Sequence, residues 1–293
     1  MSALTTTSLA FAVLTAAGTP PGGAGPDAGA ASAANPAAAV AFPGQWAPPA
    51  TVKYPSNPKG CLTRFSELAE RMACLEYVAM DWPRLDRFAA ANAALGKPGK
   101  SEKRVVFFGD SITDNWHKPE FGGFFPGKRY VNRGIGGQTT GQMLLRMRAD
   151  VIALGPRVMV LLAGTNDLAK NTGYMRPAAI QDNIATIAEL ARLHGIKVVL
   201  ATLLPVCDCK TSPEGQAINR SHDRPREALV AMNQWIADYA RKNHHVLLDY
   251  YPALADGKGA FKADLTYDGL HPNAAGYAVM APLAEKAIAA ALR

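Results

Sequence analysis

Residues 104–111 read RVVFFGDS, a run of β-branched and aromatic side chains that ends at a glycine, an aspartate and a serine. The run predicts a buried β-strand over 104–108 with a tight turn after it. Four more apolar runs predict strands at 130–132, 158–162, 198–201 and 246–248, and segments long enough for helices lie at 141–153, 178–194, 225–243 and 274–292. Runs such as VMVLLAG are apolar at successive positions, which is typical of parallel strands covered on both faces. The alternation predicts an α/β fold, a three-layer α/β/α sandwich of about five parallel strands with right-handed crossovers.

The amino terminus differs in composition from the rest of the 293-residue chain. Residues 1–52 contain one charged side chain, Asp27, and are rich in Ala, Gly and Pro, so they are expected to form a disordered linker. Within them, residues 9–18 have the length of the apolar part of a signal peptide, although no Lys or Arg precedes them. We therefore expect a secreted or periplasmic protein, with a disordered start as the alternative.

Residues 53–100 are predicted to form a helical extension in front of a single α/β domain at 101–293. Apolar residues from Leu62 to Val78 recur at helical spacing, the pattern breaks at 81–83, and a second apolar face follows over 85–95. Two helices are therefore expected before the first strand.

Charge and hydropathy exclude two classes of partner. The chain has 31 Lys and Arg against 24 Asp and Glu, a formal net charge of +7, but the basic residues are scattered and no nucleic-acid recognition motif is present. We therefore expect no nucleic-acid partner. No run of 18 or more apolar residues is present, so no stable membrane insertion is expected.

The four cysteines are an even number, which suits an oxidising compartment. Cys207 and Cys209 could bind a metal or form a tight bridge, but no second pair and no His stands at zinc-finger spacing. Long-range pairing between the region of Cys61 and Cys74 and the 207–209 loop is a further hypothesis.

Polar residues follow the predicted strands at the points where the strands end. GDS at 109–111 follows the first strand, NRGIGGQT starts at 132 in the second, GTND at 164–167 follows the third, and DGLHP at 268–272 precedes the last helix. Ligand sites of open α/β sheets lie at the carboxyl ends of the strands. We therefore expect the four segments to converge on one edge of the sheet.

These segments supply the residue types of a serine nucleophile and its partners. Ser111 would attack a carbonyl, His271 would act as its base, and Asp268, about one turn earlier, would orient the imidazole. The backbone N–H groups of Ser111 and Gly137 and the side-chain amide of Asn166 would stabilise an oxyanion.

Two more acidic residues flank these positions. Asp110 and Asp167 are expected to orient loops by accepting hydrogen bonds from backbone N–H groups. The G-x-S-x-G nucleophile turn of α/β-hydrolases is disfavoured, because Thr113 stands where its second glycine would be.

The blocks FFGDSIT, NRGIGGQT, LLAGTND and DGLHP, spread over residues 103–292, resemble those of the SGNH hydrolases, also called the GDSL esterase and lipase family. Within that family the chain looks like secreted acylhydrolases related to platelet-activating-factor acetylhydrolase and lysophospholipase-like esterases. The resemblance implies a flavodoxin-like fold of five parallel strands, ester hydrolysis through an acyl-enzyme, and no metal or organic cofactor. Ile112 departs from the Leu of the family's name motif, and the first 100 residues lie outside the family blocks.

The predicted function is hydrolysis of short-chain, acetyl-type carboxylic esters, on carbohydrate or aryl alcohols. The alternatives are a lysophospholipase or thioesterase, a metal-dependent phosphoesterase, and a catalytically silent carbohydrate-binding module. Trp116, in an aromatic segment just after the nucleophile, is the predicted substrate-binding side chain, and the insertion 205–224 could form a second wall or lid.

Overall fold

The computed structural model describes residues 54–293, and the segment predicted over 1–52 lies outside the described residues. The strands are β1 Val105–Gly109, β2 Tyr130–Gly134, β3 Val158–Leu162, β4 Lys197–Ala201 and β5 Val246–Leu248. All pairings are parallel, and the order across the sheet is β2, β1, β3, β4, β5. The predicted α/β architecture with five parallel strands is confirmed.

The apolar runs form strands because helices cover both faces of the sheet. Every residue of β1 and β3 is buried, and these two strands lie side by side in the middle with Val105 opposite Val158. β2 extends two residues past its predicted end, because Arg133 and Gly134 pair with Phe108 and Gly109 of β1. The polar side chain of Arg133 is buried and has partners of its own. Its Nε donates to Asn92 Oδ1 at 2.8 Å, and its guanidinium lies over the Phe88 ring.

The α-helices within residues 54–293 are α1 Pro58–Arg64, α2 Leu68–Met80, α3 Ala89–Leu95, α4 Ser111–Asn115, α5 Thr140–Asp150, α6 Thr165–Leu168, α7 Pro177–Leu193, α8 Arg220–Asp223, α9 Arg226–Lys242, α10 Tyr251–Leu254 and α11 Ala274–Ala291. α5, α7 and α9 contact one another in turn on one face of the sheet, and α11 packs against β3, β4 and β5 on the other. Each of these four helices begins within one residue of its predicted start. None of the helices in residues 54–293 is long and apolar enough to cross a membrane.

Residues 54–104 contain three short helices instead of the two predicted before the first strand. The apolar pattern from Leu62 to Val78 is interrupted at Phe65, whose backbone is extended and ends α1. No glycine or proline marks this break, so the apolar spacing alone predicted one continuous helix. The break allows α1 and α2 to pack against each other.

Both disulfides are local, so the long-range pairing hypothesis was wrong. Cys61 of α1 is bonded to Cys74 of α2, with 5.6 Å between their Cα atoms, and Cys207 is bonded to Cys209. The first pair lies in a small hydrophobic cluster with Tyr77, separate from the main core. The packing of α1 on α2 brings the two Cα atoms within the range that a disulfide spans, which a linear sequence does not reveal.

The amino-terminal segment is fastened to the loops at the carboxyl edge of the sheet. Ser56 Oγ donates to the Gly136 carbonyl, and Gln142 Nε2 donates to the carbonyls of Ser56 and Trp82, each at 2.8 Å. Lys59 Nζ donates to the Ala169 carbonyl at 3.0 Å. Residues 54–100 are therefore part of the surroundings of the site described next.

Candidate active site

The four polar segments converge at the carboxyl edge of the sheet. Ser111 is the first residue of α4 and follows β1 by two positions, and the Asp110 carboxylate accepts the Ile112 N–H at 2.9 Å. This cap starts a helical turn directly after the strand. The turn places the Ser111 hydroxyl beside His271, which lies 160 residues later in the chain.

Ser111, His271 and Asp268 form a continuous hydrogen-bonded chain. His271 Nε2 lies 2.9 Å from Ser111 Oγ, and His271 Nδ1 lies 2.8 Å from Asp268 Oδ2. When Nδ1–H donates to the carboxylate, Nε2 is left to accept from the serine hydroxyl. In this geometry the imidazole can take the hydroxyl proton while the carboxylate stabilises the resulting charge.

The DGLHP segment is shaped so that one carboxylate serves several donors. Asp268 Oδ1 accepts the backbone N–H groups of Leu270 at 3.1 Å and His271 at 2.8 Å, which closes the turn. Gly269 has a φ of +83°, and a Cβ on it would collide with the Cys207 carbonyl. Glycine is therefore required at this position.

Asp268 has a second charged partner that the sequence did not indicate. Arg220 Nη2 donates to Asp268 Oδ2 at 2.6 Å, and Arg220 Nε donates to the Asp268 carbonyl at 3.0 Å. Burial by itself would raise the pKa of Asp268, but the hydrogen bonds and charge of His271, with the charge of Arg220, hold the pKa of this carboxyl well below its usual range. The carboxylate therefore stays ionised at neutral pH.

The Gly-rich loop after β2 presents its backbone toward Ser111. Gly137 has a φ of +79°, and Asn171 Nδ2 donates to its carbonyl at 2.9 Å. Asp114 Oδ2 accepts the Gly136 N–H at 3.1 Å. Within residues 54–293, no hydrogen bond takes up the backbone N–H of Ser111 or Gly137, so both remain available as donors.

Asn166 lies in α6, after β3, and its amide orientation is set by two neighbours. Its Nδ2 donates to the Gln138 carbonyl at 3.0 Å, and its Oδ1 accepts from Arg224 Nη2 at 3.2 Å. Arg224 also donates through Nε to Thr165 Oγ1 at 3.0 Å and is buried. Because arginine only donates, the nitrogen of the amide must be the atom that lies against the Gly-rich loop.

The insertion 205–224 holds two side chains of the site in place, and its predicted role as a wall or lid stays a prediction. It supplies Arg220 to Asp268 and Arg224 to Asn166, whereas the sequence analysis had singled out only its cysteines. Nothing in local spacing distinguishes these two arginines from the other basic residues. Their partners are 48 and 58 residues away in the chain.

Asp110 and Asp167 orient loops, as predicted. Asp167 accepts the N–H of Thr140 through both carboxylate oxygens, at 3.0 and 3.1 Å, and the Thr140 hydroxyl at 2.6 Å, which fixes the start of α5. Burial raises the pKa of each of these two aspartates to about 6. Asp110 Oδ2 is buried and has no hydrogen-bond partner within residues 54–293.

Trp116 lies mostly in the core, and its predicted role as a substrate-binding side chain stays a prediction. Its side chain is 3% exposed and packs against rings of Phe107, Phe124, Phe125 and Tyr277. The aromatic segment after the nucleophile folds under its own loop because its rings pack on one another and on β1.

Tyr267 is the exposed aromatic side chain beside the catalytic histidine candidate, and sequence reasoning missed it. It is 43% exposed, its ring stacks on the His271 ring at 5.6 Å, and it stacks on Phe121 at 5.6 Å. Burial of its inner part, with the charge of Asp268, raises the pKa of Tyr267 to about 12. Its position immediately before the DGLHP block was the only sequence signal.

Side chains that bind metals are not clustered among the described residues. Among residues 54–293, no group of three or more His, Cys, Asp or Glu side chains is arranged to hold a metal ion. The chemistry that the side chains support is proton transfer and nucleophilic attack by a hydroxyl.

Comparisons with known proteins show which family the chain is similar to. Residues 107–279, more than half of the chain, match the model of the GDSL-like Lipase/Acylhydrolase family. A GDSL-like lipase of Bacteroides thetaiotaomicron VPI-5482 is 40% identical, with a TM-score of 0.63, over 71% of this chain and 98% of that one. An acetylxylan esterase of Geobacillus stearothermophilus is 26% identical over 208 residues, 63% of this chain and 93% of its own length.

A third relative is an uncharacterized lipoprotein of Bacillus subtilis, 30% identical over 132 residues. The match covers 39% of this chain and 53% of the lipoprotein, so the chain spans about half the length of that relative. The family model and the Bacteroides structure agree with the resemblance predicted from the four sequence blocks. The chain belongs to the GDSL-like lipase/acylhydrolase family.

Proposed function

We propose that the protein is a serine esterase that hydrolyses short-chain, acetyl-type esters through an acyl-enzyme. The observation that carries this proposal is the hydrogen-bonded chain from Ser111 through His271 to Asp268. His271 takes the hydroxyl proton, Ser111 Oγ bonds to the ester carbonyl carbon, and the bond to the alcohol oxygen breaks as His271 returns the proton to it. Water then repeats the sequence on the acyl-enzyme and releases the acid and Ser111.

Three donors would stabilise the oxyanion formed in each half of the cycle. The N–H groups of Ser111 and Gly137 have no other partner within residues 54–293, and Asn166 keeps one amide hydrogen after its bond to Gln138. The loss of one such donor typically costs 10²- to 10³-fold in kcat. The donors are held before substrate arrives, so little reorganisation is needed during the reaction.

The acyl group is proposed to be short and the alcohol polar. The cavity next to Gly136 is lined by Arg84, Arg87 and Asp114, which suits a polar alcohol. The similarity to an acetylxylan esterase over 93% of its length favours an acetylated carbohydrate. A lysophospholipase or thioesterase would need an apolar groove beside Ser111 for a long acyl chain.

A secreted or periplasmic location is part of the proposal. Two disulfides favour an oxidising compartment, and one relative is a lipoprotein. The partners would be ester substrates, without nucleic acid and without stable membrane insertion.

A series of p-nitrophenyl esters from acetate to dodecanoate tests the proposal. We expect the highest kcat/KM with acetate, full inhibition by a serine-directed fluorophosphonate, full activity in EDTA, and loss of nearly all turnover in Ser111→Ala. Turnover of Ser111→Ala within tenfold of wild type would exclude the nucleophile. Inactivation by EDTA would favour a metal-dependent phosphoesterase, absence of any p-nitrophenol release would favour a silent binding module, and a preference for long chains would favour a lipase.

A further inference from the structure

A cavity of about 460 Å³ lies between the amino-terminal extension and the Gly-rich loop. Its floor includes Ile135 and Gly136, and a Cβ built on Gly136 would lie 3.7 Å from the Ser111 Cβ. One end of the cavity therefore lies near the nucleophile, close enough to receive one part of an ester bound at Ser111. Its volume is within the range of small-molecule sites.

The extension supplies the outer wall of this cavity, with two tyrosines and two arginines. The rings of Tyr54 and Tyr77 lie 5.1 Å apart, and the Arg84 guanidinium lies over the Tyr77 ring at 4.8 Å. Arg87 lines the same wall and is 44% exposed. These four residues come before residue 107, where the family match begins, so this wall is a property of this chain rather than of the family blocks.

The turn that carries both arginines is held in place before any ligand binds. Asp81 accepts the backbone N–H groups of Leu85 at 2.9 Å and Asp86 at 3.0 Å, and Arg84 has a φ of +59° within this turn. The Arg84 side chain is only 13% exposed. Its conformational freedom is therefore already reduced, which lowers the entropic cost of binding.

The donors of the two arginines are only partly used. Arg84 donates through Nε to Asp86 at 3.2 Å, and no hydrogen bond within residues 54–293 takes up its two terminal nitrogens. The nearest Arg87 nitrogen lies 3.8 Å from Asp114 Oδ1, beyond hydrogen-bond distance, while Asp114 Oδ2 accepts the Gly136 N–H. Of the carboxylates nearby, Asp81 is occupied by the turn and Asp86 by Arg84, so the cavity retains donors for an additional anion.

We propose that this cavity binds the alcohol part of the substrate and that this alcohol is a sugar bearing a carboxylate. The planar guanidinium groups match a carboxylate in two-point hydrogen bonding, and the ring of Tyr54, which is only partly buried, offers a face to a sugar ring. The proposal rests on the proposed esterase function and adds the class of alcohol. It also gives the positive net charge a role in attracting an acidic substrate.

A matched pair of substrates tests the proposal. Monoacetylated methyl glucuronoside and monoacetylated methyl glucoside differ in the carboxylate alone, and p-nitrophenyl acetate reports on the esterase chemistry. We expect wild type to prefer the acidic sugar by about tenfold or more in kcat/KM, the scale of one charged hydrogen bond. Arg84→Gln and Arg87→Gln should each reduce this ratio about tenfold, and Arg241→Gln, on the exposed surface of α9, should leave it unchanged.

The outcomes separate this proposal from the proposed function. Equal kcat/KM for the two sugars, or an equal ratio in wild type and both variants, would overturn the carboxylate site while leaving the esterase intact. A stronger preference for a lysophospholipid that depends on the same arginines would also overturn it. If wild type does not hydrolyse p-nitrophenyl acetate, or if the variants do not fold, calorimetry of methyl glucuronoside with wild type decides: binding that weakens at high salt supports the site, and no binding overturns it.

Discussion

Replacing Asp268 by Asn tests the arrangement around His271, because all four partners of this carboxylate are donors. Oδ1 accepts the backbone N–H groups of Leu270 and His271, and Oδ2 accepts from His271 Nδ1 at 2.8 Å and Arg220 Nη2 at 2.6 Å. An amide has one acceptor and one donor end. In either orientation, its NH₂ would face two donors.

The magnitude follows from this mismatch. If the NH₂ replaces Oδ2, the Nδ1–H of His271 loses its acceptor and the imidazole adopts the tautomer that cannot accept the Ser111 proton. In serine proteases, a carboxylate-to-amide change of this kind lowers kcat about 10⁴-fold. This corresponds to about 5.4 kcal/mol in the activation free energy. If the NH₂ replaces Oδ1 instead, the turn at 268–271 opens and stability falls, by about 1.5–3 kcal/mol for each lost hydrogen bond to a charged group.

The assay is steady-state hydrolysis of p-nitrophenyl acetate, together with thermal unfolding of the same variant. Asp238→Asn is the matched control, since Asp238 is half-exposed and pairs with exposed Arg241 at 2.7 Å. We expect the control to retain kcat and to lose at most about 1 kcal/mol of stability. If folded Asp268→Asn retained kcat within tenfold of wild type, the role assigned to Asp268 would be refuted.

Three more predictions address the donors, the Gly-rich loop and a buried acid. Asn166→Ala should lower kcat on p-nitrophenyl acetate by roughly 10²- to 10³-fold; an unchanged kcat in steady-state kinetics would remove it from the oxyanion site. Gly137→Ala should lower the free energy of unfolding by about 1–3 kcal/mol through its positive φ, and by more through a collision with Asn57. Gly215 also has a positive φ but no neighbour within 4 Å, so Gly215→Ala should lose less stability in thermal melts. Burial raises the pKa of Asp110 to about 6. Its contribution to the free energy of unfolding is therefore complete below the unfolded pKa near 3.8 and is lost as the pH rises toward 6. Asp110→Asn should therefore gain up to about 3 kcal/mol relative to wild type between pH 4 and pH 7, and a pH-independent difference in urea unfolding would contradict this.

The fold could be predicted where sequence pattern and burial coincide. β3 begins and ends at the predicted residues, because Pro156 and Gly164 limit the apolar run on both sides and the run between them is buried as a strand. The break at Phe65 had no such signal, since no glycine or proline marks it and the packing of α1 on α2 is a tertiary contact. The burial of Trp116 could not be predicted from sequence either, since an aromatic ring after a nucleophile can line a cleft or fill the core with equal local preference.

The sequence by itself determined the parts of this protein that depend on neighbouring residues. The strand runs, the turn that starts α4 at Ser111, and the pairing of Asp268 with His271 one turn apart are local, so residue type and spacing were sufficient to predict them. Only the tertiary structure decided which distant side chains would complete the site. Arg220 and Arg224 reach it across 48 and 58 residues, and Arg84 and Arg87 reach the cavity beside it from the amino-terminal extension. Such contacts depend on how loops pack at the edge of the sheet, and many sequences with the same local pattern would place other residues there.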